Sequence, residues 1–528
     1  MADATWVDAM SLDDLVAKGK TVVKLGGKQI LLWRQGEKIH ACNNRCPHEG
    51  YPLSEGTMSD GCILTCNWHN WKFDLESGET LVGGDHLRRY PVRLEGELIQ
   101  VDVTDPPPET IRDRAIAGLK EAFEEHDYER IAREIARYEM AEGNPLDCVV
   151  RALEWAKDRT EGGTTHAQAA APDWLLLRRS LGTESPDRMV PVLEVIGHLS
   201  WDARQELGPF PFAEGVAESF NSEAFEEAIE TEREAEAVRL VRRGLMDGGA
   251  EVVRPALRRA SLRHYQSFGH SPIYAEKTYE LMDHLGPQSY EPLVLPLVRA
   301  LCMGQREDLI PEFRAYQPAI ENWDGRGTDV PTARDFRGAG VRKCLQMISS
   351  ASGRIPELVD VLFEASADAM LHYDPQFRVH TDKQIQHNVD WLDFTHALTH
   401  LNASIKICRD QPELWPNALL QTGCFLGRNT AFIDWDKSQA QWAVGEPEPL
   451  LDAVLDGMLD HGEPVYIFPA HTLKVATALR EEHEARPNAP WIPTALAALN
   501  RYVHEPIKRK HSLRTVKQAM SFVQAQGG

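Results

Sequence analysis

Over the first hundred positions, short apolar runs alternate with turn residues. Thr21-Val22-Val23-Lys24-Leu25, Gln29-Ile30-Leu31-Leu32-Trp33 and Glu37-Lys38-Ile39-His40 are rich in β-branched and apolar residues, with Gly26-Gly27 and Gln35-Gly36 between them. Residues 61–65, 71–74 and 98–103 continue the pattern, spaced by Gly78 and Glu95-Gly96. Such alternation predicts strands joined by tight turns, and strands this short and close predict a small sandwich or barrel over residues 1–104. Asp105-Pro106-Pro107-Pro108-Glu109 then interrupts the pattern. Prolines cannot donate to a sheet ladder and favour an extended spacer, so residues 105–110 read as a linker. From residue 111 the period becomes helical. Ile111, Ile116, Leu119, Ala122 and Phe123, then Ile131, Ile135 and Tyr138, fall close to i, i+3, i+4 spacing. Helical stretches recur to the end, among them 192–201, 223–246, 275–285, 385–407 and 473–485, punctuated by Gly and Pro. The pattern predicts a multidomain chain, with a small all-β domain followed by a large all-α domain over 111–528.

Charge and cysteine usage narrow the function classes. Lys and Arg total 57 and Asp and Glu total 80, a formal net charge of −23. A chain this acidic offers no broad electrostatic footprint for phosphate backbones or anionic lipid, so nucleic acid is not an expected partner. No apolar run approaches the roughly 20 residues of a membrane span. The closest, Leu293 to Met303, contains Pro296 and Arg299. The segment Met1 to Asp8 is acidic and lacks the basic-then-apolar layout of a signal peptide, so a cytoplasmic protein with no membrane association is expected. Of nine Cys, four fall between Cys42 and Cys66. In a reducing compartment such clustering points to metal rather than to crosslinks.

Cys46-Pro47-His48 and Cys66-Asn67-Trp68-His69 form a Cys-x-His…Cys-x-x-His pattern. Two thiolates and two imidazoles can hold zinc or one [2Fe–2S] cluster. Zinc fingers commonly pair Cys with Cys and His with His along the chain, whereas here each loop supplies one of each. With the flanking Asn44-Arg45 and Glu49-Gly50, and with Asn70-Trp71-Lys72-Phe73-Asp74 after the second pair, residues 5–104 resemble a Rieske domain of the ferredoxin and aromatic-ring-oxygenase type. The resemblance implies a [2Fe–2S] cluster held by Cys46, His48, Cys66 and His69. Rieske proteins of high potential resemble one another in a hydroxyl residue and a Tyr near the second loop. Trp71 and Phe73 stand there in this chain, which implies a lower potential. The extra Cys42 and Cys62 each lie four residues before a ligand Cys. They read as buried thiols, with a bridge between them as the alternative.

A cluster without an open coordination position relays electrons, and a relay needs a receiver. On a helix, Asp393, His396 and His400 share one face at i, i+3, i+7 within an apolar segment. Two His and a carboxylate fit a non-haem iron site, and they equally fit a buried hydrogen-bonded group without metal. His270 stands at a Gly/Pro-interrupted helix junction, followed by Glu276, Glu280 and His284, and His471 stands at a helix start. His270, Thr395-His396-Ala397-Leu398-Thr399 and His471-x-x-Lys474 resemble the questin-oxidase-like family. That resemblance implies oxygenation of an aromatic or polycyclic compound, with His270, Asp393, His396, His400 and His471 as site residues. Tyr274 and Asn402 depart from it where further His would be expected. No Gly-rich dinucleotide fingerprint is evident, so reducing equivalents are expected from a separate reductase or ferredoxin, docking through a basic surface. The expected function is a Rieske-dependent oxidoreductase acting on a small molecule, with a homo-oligomer compatible with such a relay. The alternative is a non-enzymatic electron carrier or redox sensor with a helical docking domain.

Overall fold

The computed structural model describes residues 4–59, 61–183, 185–206 and 208–526, and the chain divides into two compact units, Met1–Cys148 and Val149–Gly528. The first unit opens with strands β1 (Trp6–Ser11), β2 (Lys20–Leu25), β3 (Lys28–Gln35) and β4 (Lys38–Asn43). The short β5 (Thr57–Ser59), β6 (Ile63–Thr65), β7 (Lys72–Asp74) and β8 (Thr80–Val82) follow, then β9 (Arg89–Tyr90), β10 (Val92–Glu95) and β11 (Leu98–Asp102). They form three antiparallel sheets, ordered β1-β11-β10, β2-β3-β4-β9 and β5-β6-β7-β8. Gly26 and Gly27, at φ 53° and 78°, close the two-residue turn that pairs Leu25 with Lys28. Two positive φ values in a row favour glycine and match the twist of a hairpin.

Side-chain alternation on β3 divides the interior of this unit. Ile30 and Leu32 join Leu15, Ile99 and Val101 in one core. Leu31, on the opposite face, joins Leu53, Leu64, Phe73 and the four clustered cysteines in another. The second core places a dry wall behind the two Cys/His loops.

The first unit extends past the proline segment, which the sequence alone marks as the boundary. Asp105 is pinned by Lys28 (3.1 Å) and Arg88 (2.6 Å), and Pro108 occupies the first turn of a helix, where its missing N–H costs nothing. That helix, Pro108–Glu125, and the next, Tyr128–Met140, belong to the first unit. Asp85, fully buried, takes Arg133 (2.8 Å) and Arg137 (2.5 Å) from the second helix.

The regular elements of the second unit are all helices among its described residues, joined by loops and with one isolated Tyr373–Ile433 bridge. The periodic stretch 223–246 is two helices, Ser222–Glu230 and Glu234–Gly248, because Glu232 takes a left-handed conformation (φ 57°). At the centre lie four helices, His166–Ser180, His270–Leu285, Trp391–Asp410 and Ile467–Ala485. No helix of the described residues is long and apolar enough to cross a membrane.

Gly163 (φ 81°) leads into the first of these four helices, and a Cβ there would meet the Pro296 carbonyl oxygen at 2.2 Å. Gly163→Ala is therefore expected to destabilise the protein by about 2 kcal/mol or more, read as a lower denaturant midpoint.

Candidate functional sites: two histidine-lined centres

In the first unit, both Cys/His loops close in the same way. The Cys46 N–H donates to the Tyr51 carbonyl (2.9 Å) and the Gly50 N–H returns to the Cys46 carbonyl (2.8 Å). In the second loop the Cys66 N–H donates to Trp71 (2.8 Å) and the Asn70 N–H to Cys66 (2.9 Å). Gly50 (φ 75°) and Asn70 (φ 61°) make the left-handed turns, a conformation Gly and Asn tolerate best. Cys46 and Cys66 are buried at 4% and 1% exposure. Burial pushes the Cys46 thiol up to about 11, opposed by the His48 backbone N–H and supported by the neighbouring Cys66 sulfur. His48 Nδ1 and His69 Nδ1 face each other at 3.1 Å. Two sulfurs on the buried side and two imidazole nitrogens on the open side form the donor set that a [2Fe–2S] cluster with mixed ligation requires.

The two imidazoles are not equivalent. Trp71 stacks flat on His48 (centroids 4.5 Å apart, 11°), and Trp68 stacks on His69 (5.0 Å, 19°). His69 is the more open, at 37% side-chain exposure against 24%. Phe73 is fully buried, and neither it nor Trp71 carries a hydroxyl. Cys42 and Cys62 are free, buried thiols, with Cys62 Sγ near His40 Nε2 (3.4 Å) and Glu76 (3.6 Å). Burial pushes Cys42 up to about 12 and raises Cys62 as well.

A second centre lies inside the helical unit. His166, His270, His396 and His471, one from each of the four central helices, converge. His166 Nε2 lies 3.1 Å from His270 Nε2, and His396 Nε2 lies 3.0 Å from His471 Nε2. Ligand nitrogens of His166, His396 and His471 lie within 4.8 Å of one another. The His471 Nδ1–H donates to the Ile467 carbonyl (2.7 Å) and the His270 Nδ1–H to the Ser267 carbonyl. Those bonds leave Nε2 as the free lone pair, the tautomer a metal-binding histidine needs. Burial pushes all four imidazoles down, assisted by the charge of Lys474, with His270 reaching about 4. Lys474 is itself buried, its Nζ has no hydrogen-bond partner, and burial pushes its amine down to about 7. The three neutral nitrogens of His166, His396 and His471 fit a transition-metal ion with positions left open, and His270 stands beside them through His166.

Of the residues singled out on sequence, His270, His396 and His471 meet here, while Asp393 and His400 do not. The Asp393 carboxylate accepts the Asp390 N–H (2.9 Å) in a capping box that starts the Trp391–Asp410 helix. The His400 Nδ1–H points at the Gly269 carbonyl (3.3 Å), so this ring braces the residue before His270. Tyr274 stays at the edge of the centre, its ring 5.3 Å from His270, and Asn402 bonds Glu482 (3.1 Å). Glu276 and Glu280 are used in ion pairs with Arg258 and Lys277. His166 was not marked by periodicity. Its signal is a Thr165 N-cap with Gln168 as the reciprocal partner, followed by a run of alanines small enough to let the helices close up.

A cavity of about 320 Å³ adjoins this centre, with His166 on its wall beside His198, Trp201, Asp202 and Tyr466. His198 stacks on Tyr466 (5.0 Å, 13°). Burial pushes the Asp202 carboxyl up to about 6, and the Thr165 hydroxyl lies 2.6 Å from it. The cavity therefore has aromatic walls and one group able to hold or release a proton near neutrality.

Residues 5–89 match the family described as Rieske [2Fe-2S] domain. The ferredoxin component of an alkene monooxygenase system from Xanthobacter autotrophicus is 30% identical over 107 residues, 20% of this chain and 87% of that protein. The 4beta-methylsterol monooxygenase of Methylococcus capsulatus is 35% identical over 96 residues, 16% of this chain and 26% of the relative. Among solved structures, the ferredoxin of carbazole 1,9a-dioxygenase from Nocardioides aromaticivorans is 26% identical, with 19% of this chain and 100% of that one covered at a TM-score of 0.18.

Two outcomes are expected. Metal analysis of anaerobically purified protein finds one transition-metal ion beyond the two cluster irons, and His396→Ala or His471→Ala loses that ion alone. In the metal-free centre, unfolded imidazoles bind protons near pH 6.5, whereas folded His270 stays neutral down to about pH 4 and burial pushes His166, His396 and His471 down as well. Acid then favours the unfolded state, so stability falls as the pH drops from about 6.5 to 4. Denaturant midpoints across that range show the fall, and His396→Gln with His471→Gln flattens it.

Proposed function

The chain belongs to the Rieske [2Fe–2S] family through its first unit, and on that premise we propose an oxidoreductase whose first unit relays single electrons to the four-histidine centre. There, a small aromatic or polycyclic compound is oxygenated. The observation that carries the proposal is the convergence of four unprotonated imidazoles beside a cavity, in the same chain as an electron relay. A [2Fe–2S] cluster bound by Cys46, His48, Cys66 and His69 supplies one-electron storage. The sequence motifs His270, Thr395-His396-Ala397-Leu398-Thr399 and His471-x-x-Lys474 support an oxygenase, as does the role of the relative in an alkene monooxygenase system.

Each residue has a definable task. The more exposed His69 edge receives the electron from a reductase or ferredoxin. Glu49, 3.8 Å from both ligand imidazoles, gives that surface negative charge and favours a basic partner. His166, His396 and His471, with His270 beside them, would hold a metal such as non-haem iron, and His400 positions the Gly269–His270 turn. Trp201, Tyr466 and His198 supply flat apolar walls for an aromatic ring. Asp202 holds or releases a proton at its carboxylate. Insertion of one atom of dioxygen into a C–H bond consumes two electrons and two protons and yields one water, so both a one-electron relay and a proton carrier are required.

The test is single-turnover reoxidation. Dithionite-reduced protein, freed of excess reductant, is mixed with dioxygen and the cluster's visible absorption is followed. The proposal predicts that His396→Ala slows cluster reoxidation at least tenfold while leaving the cluster spectrum unchanged. Equal rates in wild type and His396→Ala, with the extra metal shown to be present only in wild type, would mean a plain electron carrier.

A further inference from the structure

The redox unit contains more than the family match covers. The match ends at residue 89, whereas the unit runs to Cys148 and includes the helix pair Pro108–Glu125 and Tyr128–Met140. A continuous set of contacts joins that pair to one cluster ligand. Trp71 lies flat on the His48 ring (4.5 Å, 11°). Behind Trp71 runs Gly83-Gly84-Asp85. Gly83 sits at φ 114°, and a Cβ there would meet the Trp71 ring at 2.2 Å, while a Cβ on Gly84 would meet the Arg130 side chain at 2.7 Å. Asp85 has no exposed side-chain surface, and the Arg133 guanidinium grips it with both nitrogens (3.2 and 2.8 Å). Arg137 adds a third contact at 2.5 Å. The Thr80 hydroxyl donates to the Asp85 carbonyl (2.7 Å), tying the same turn to β8.

We propose that the Pro108–Met140 helix pair is a working part of the redox centre. Through the Arg133/Arg137–Asp85 clamp it holds the glycine turn against Trp71, and so fixes the ring of His48 and the potential of the cluster that His48 ligates. Asp85, Arg133 and Arg137 are positioning residues, and Trp71 is the side chain that transmits their effect by ring contact. The physical ground is that outer partners of a metal-bound imidazole set its orientation and electronics. A buried carboxylate held by a planar guanidinium fork fixes direction as well as distance, which a single ammonium does not. His69 is stacked by Trp68, itself 56% exposed rather than held from behind, so the two imidazoles divide into a braced one and a more open one that can serve as the exchanging edge.

The experiment uses the full chain, purified anaerobically, with iron and acid-labile sulfide counted so that only complete clusters are compared. Midpoint potential and the g-values of the reduced cluster are measured for wild type, Trp71→Phe, and Arg133→Gln with Arg137→Gln. Arg93→Gln, which removes an exposed 3.9 Å pair with Glu95, is the control. The proposal predicts that Trp71→Phe and the double Arg variant shift the potential in the same direction and alter the g-anisotropy, while Arg93→Gln moves neither. Should the double variant fail to assemble its cluster, Arg133→Lys with Arg137→Lys keeps the charge but not the fork, and is expected to show a smaller shift of the same sign. A Trp71→Phe protein with wild-type potential and g-values would overturn the proposal whatever the clamp variants do. A helix pair that is merely structural would change the unfolding midpoint in the Arg variants and leave both redox readouts in place.

Discussion

Two unprotonated imidazole nitrogens facing each other at about 3 Å repel through their lone pairs, and a proton or a cation between them is what makes the contact favourable. Among the described residues, imidazole nitrogens face each other at this distance at His48/His69 (3.1 Å), His166/His270 (3.1 Å) and His396/His471 (3.0 Å). In the helical unit an N–H on one ring of each pair satisfies the contact without charge, and so would a metal ion held by both rings. Burial and the nearby Lys474 oppose charging any of the four rings. A metal ion bound there would take the place of those N–H groups. Much of the architecture of both units serves to impose these close approaches.

Helix periodicity shows how the second unit imposes them. Asp173 lies seven residues after His166, Lys277 seven after His270, Lys406 ten after His396 and Glu481 ten after His471. Seven residues return to the same helix face and ten come round to within about 80° of it, so charged side chains form a layer below the histidines inside the bundle. Asp173 bonds Lys277 (2.8 Å), Lys277 bonds Glu280 (2.7 Å), and Lys406 bridges Glu280 (2.6 Å) and Glu481 (2.7 Å). Buried ion pairs of this kind add little net stability, but breaking one leaves an uncompensated charge at high cost. They therefore act as register marks. A helix that slides by one turn loses its partners in the ionic layer and its histidine in the layer above.

The first centre is the more legible of the two in the sequence, because its candidate ligands are local. Cys46 and His48, and Cys66 and His69, are held in short loops whose closure depends only on nearby residues. The second centre was legible only in part. Periodicity on the Trp391–Asp410 helix correctly places His396 and His400 near one face, but it does not say which neighbour that face meets. His400 turns to the Gly269 carbonyl and Asp393 is used at the helix start, so two of the three residues that share a face are structural. His166 had no partner of its own kind within reach on its helix, and only the packing of four distant segments reveals it. The sequence puts a limit at the proline segment, whereas the first compact unit runs on to Cys148. Three prolines look like a spacer, yet the ties of Asp85 to Arg133 and Arg137 cross that segment and are invisible to local pattern.

The chain thus combines a recognisable electron relay with a centre whose chemistry is decided by what the four imidazoles bind. Anomalous diffraction from crystals grown anaerobically tests that claim most directly. Data collected on either side of the iron edge should show the cluster irons near Cys46 and Cys66, and a separate anomalous peak enclosed by the Nε2 atoms of His166, His270, His396 and His471. The absence of any anomalous peak at that second position, in crystals shown to contain intact cluster and exposed to excess ferrous iron before freezing, would contradict the account.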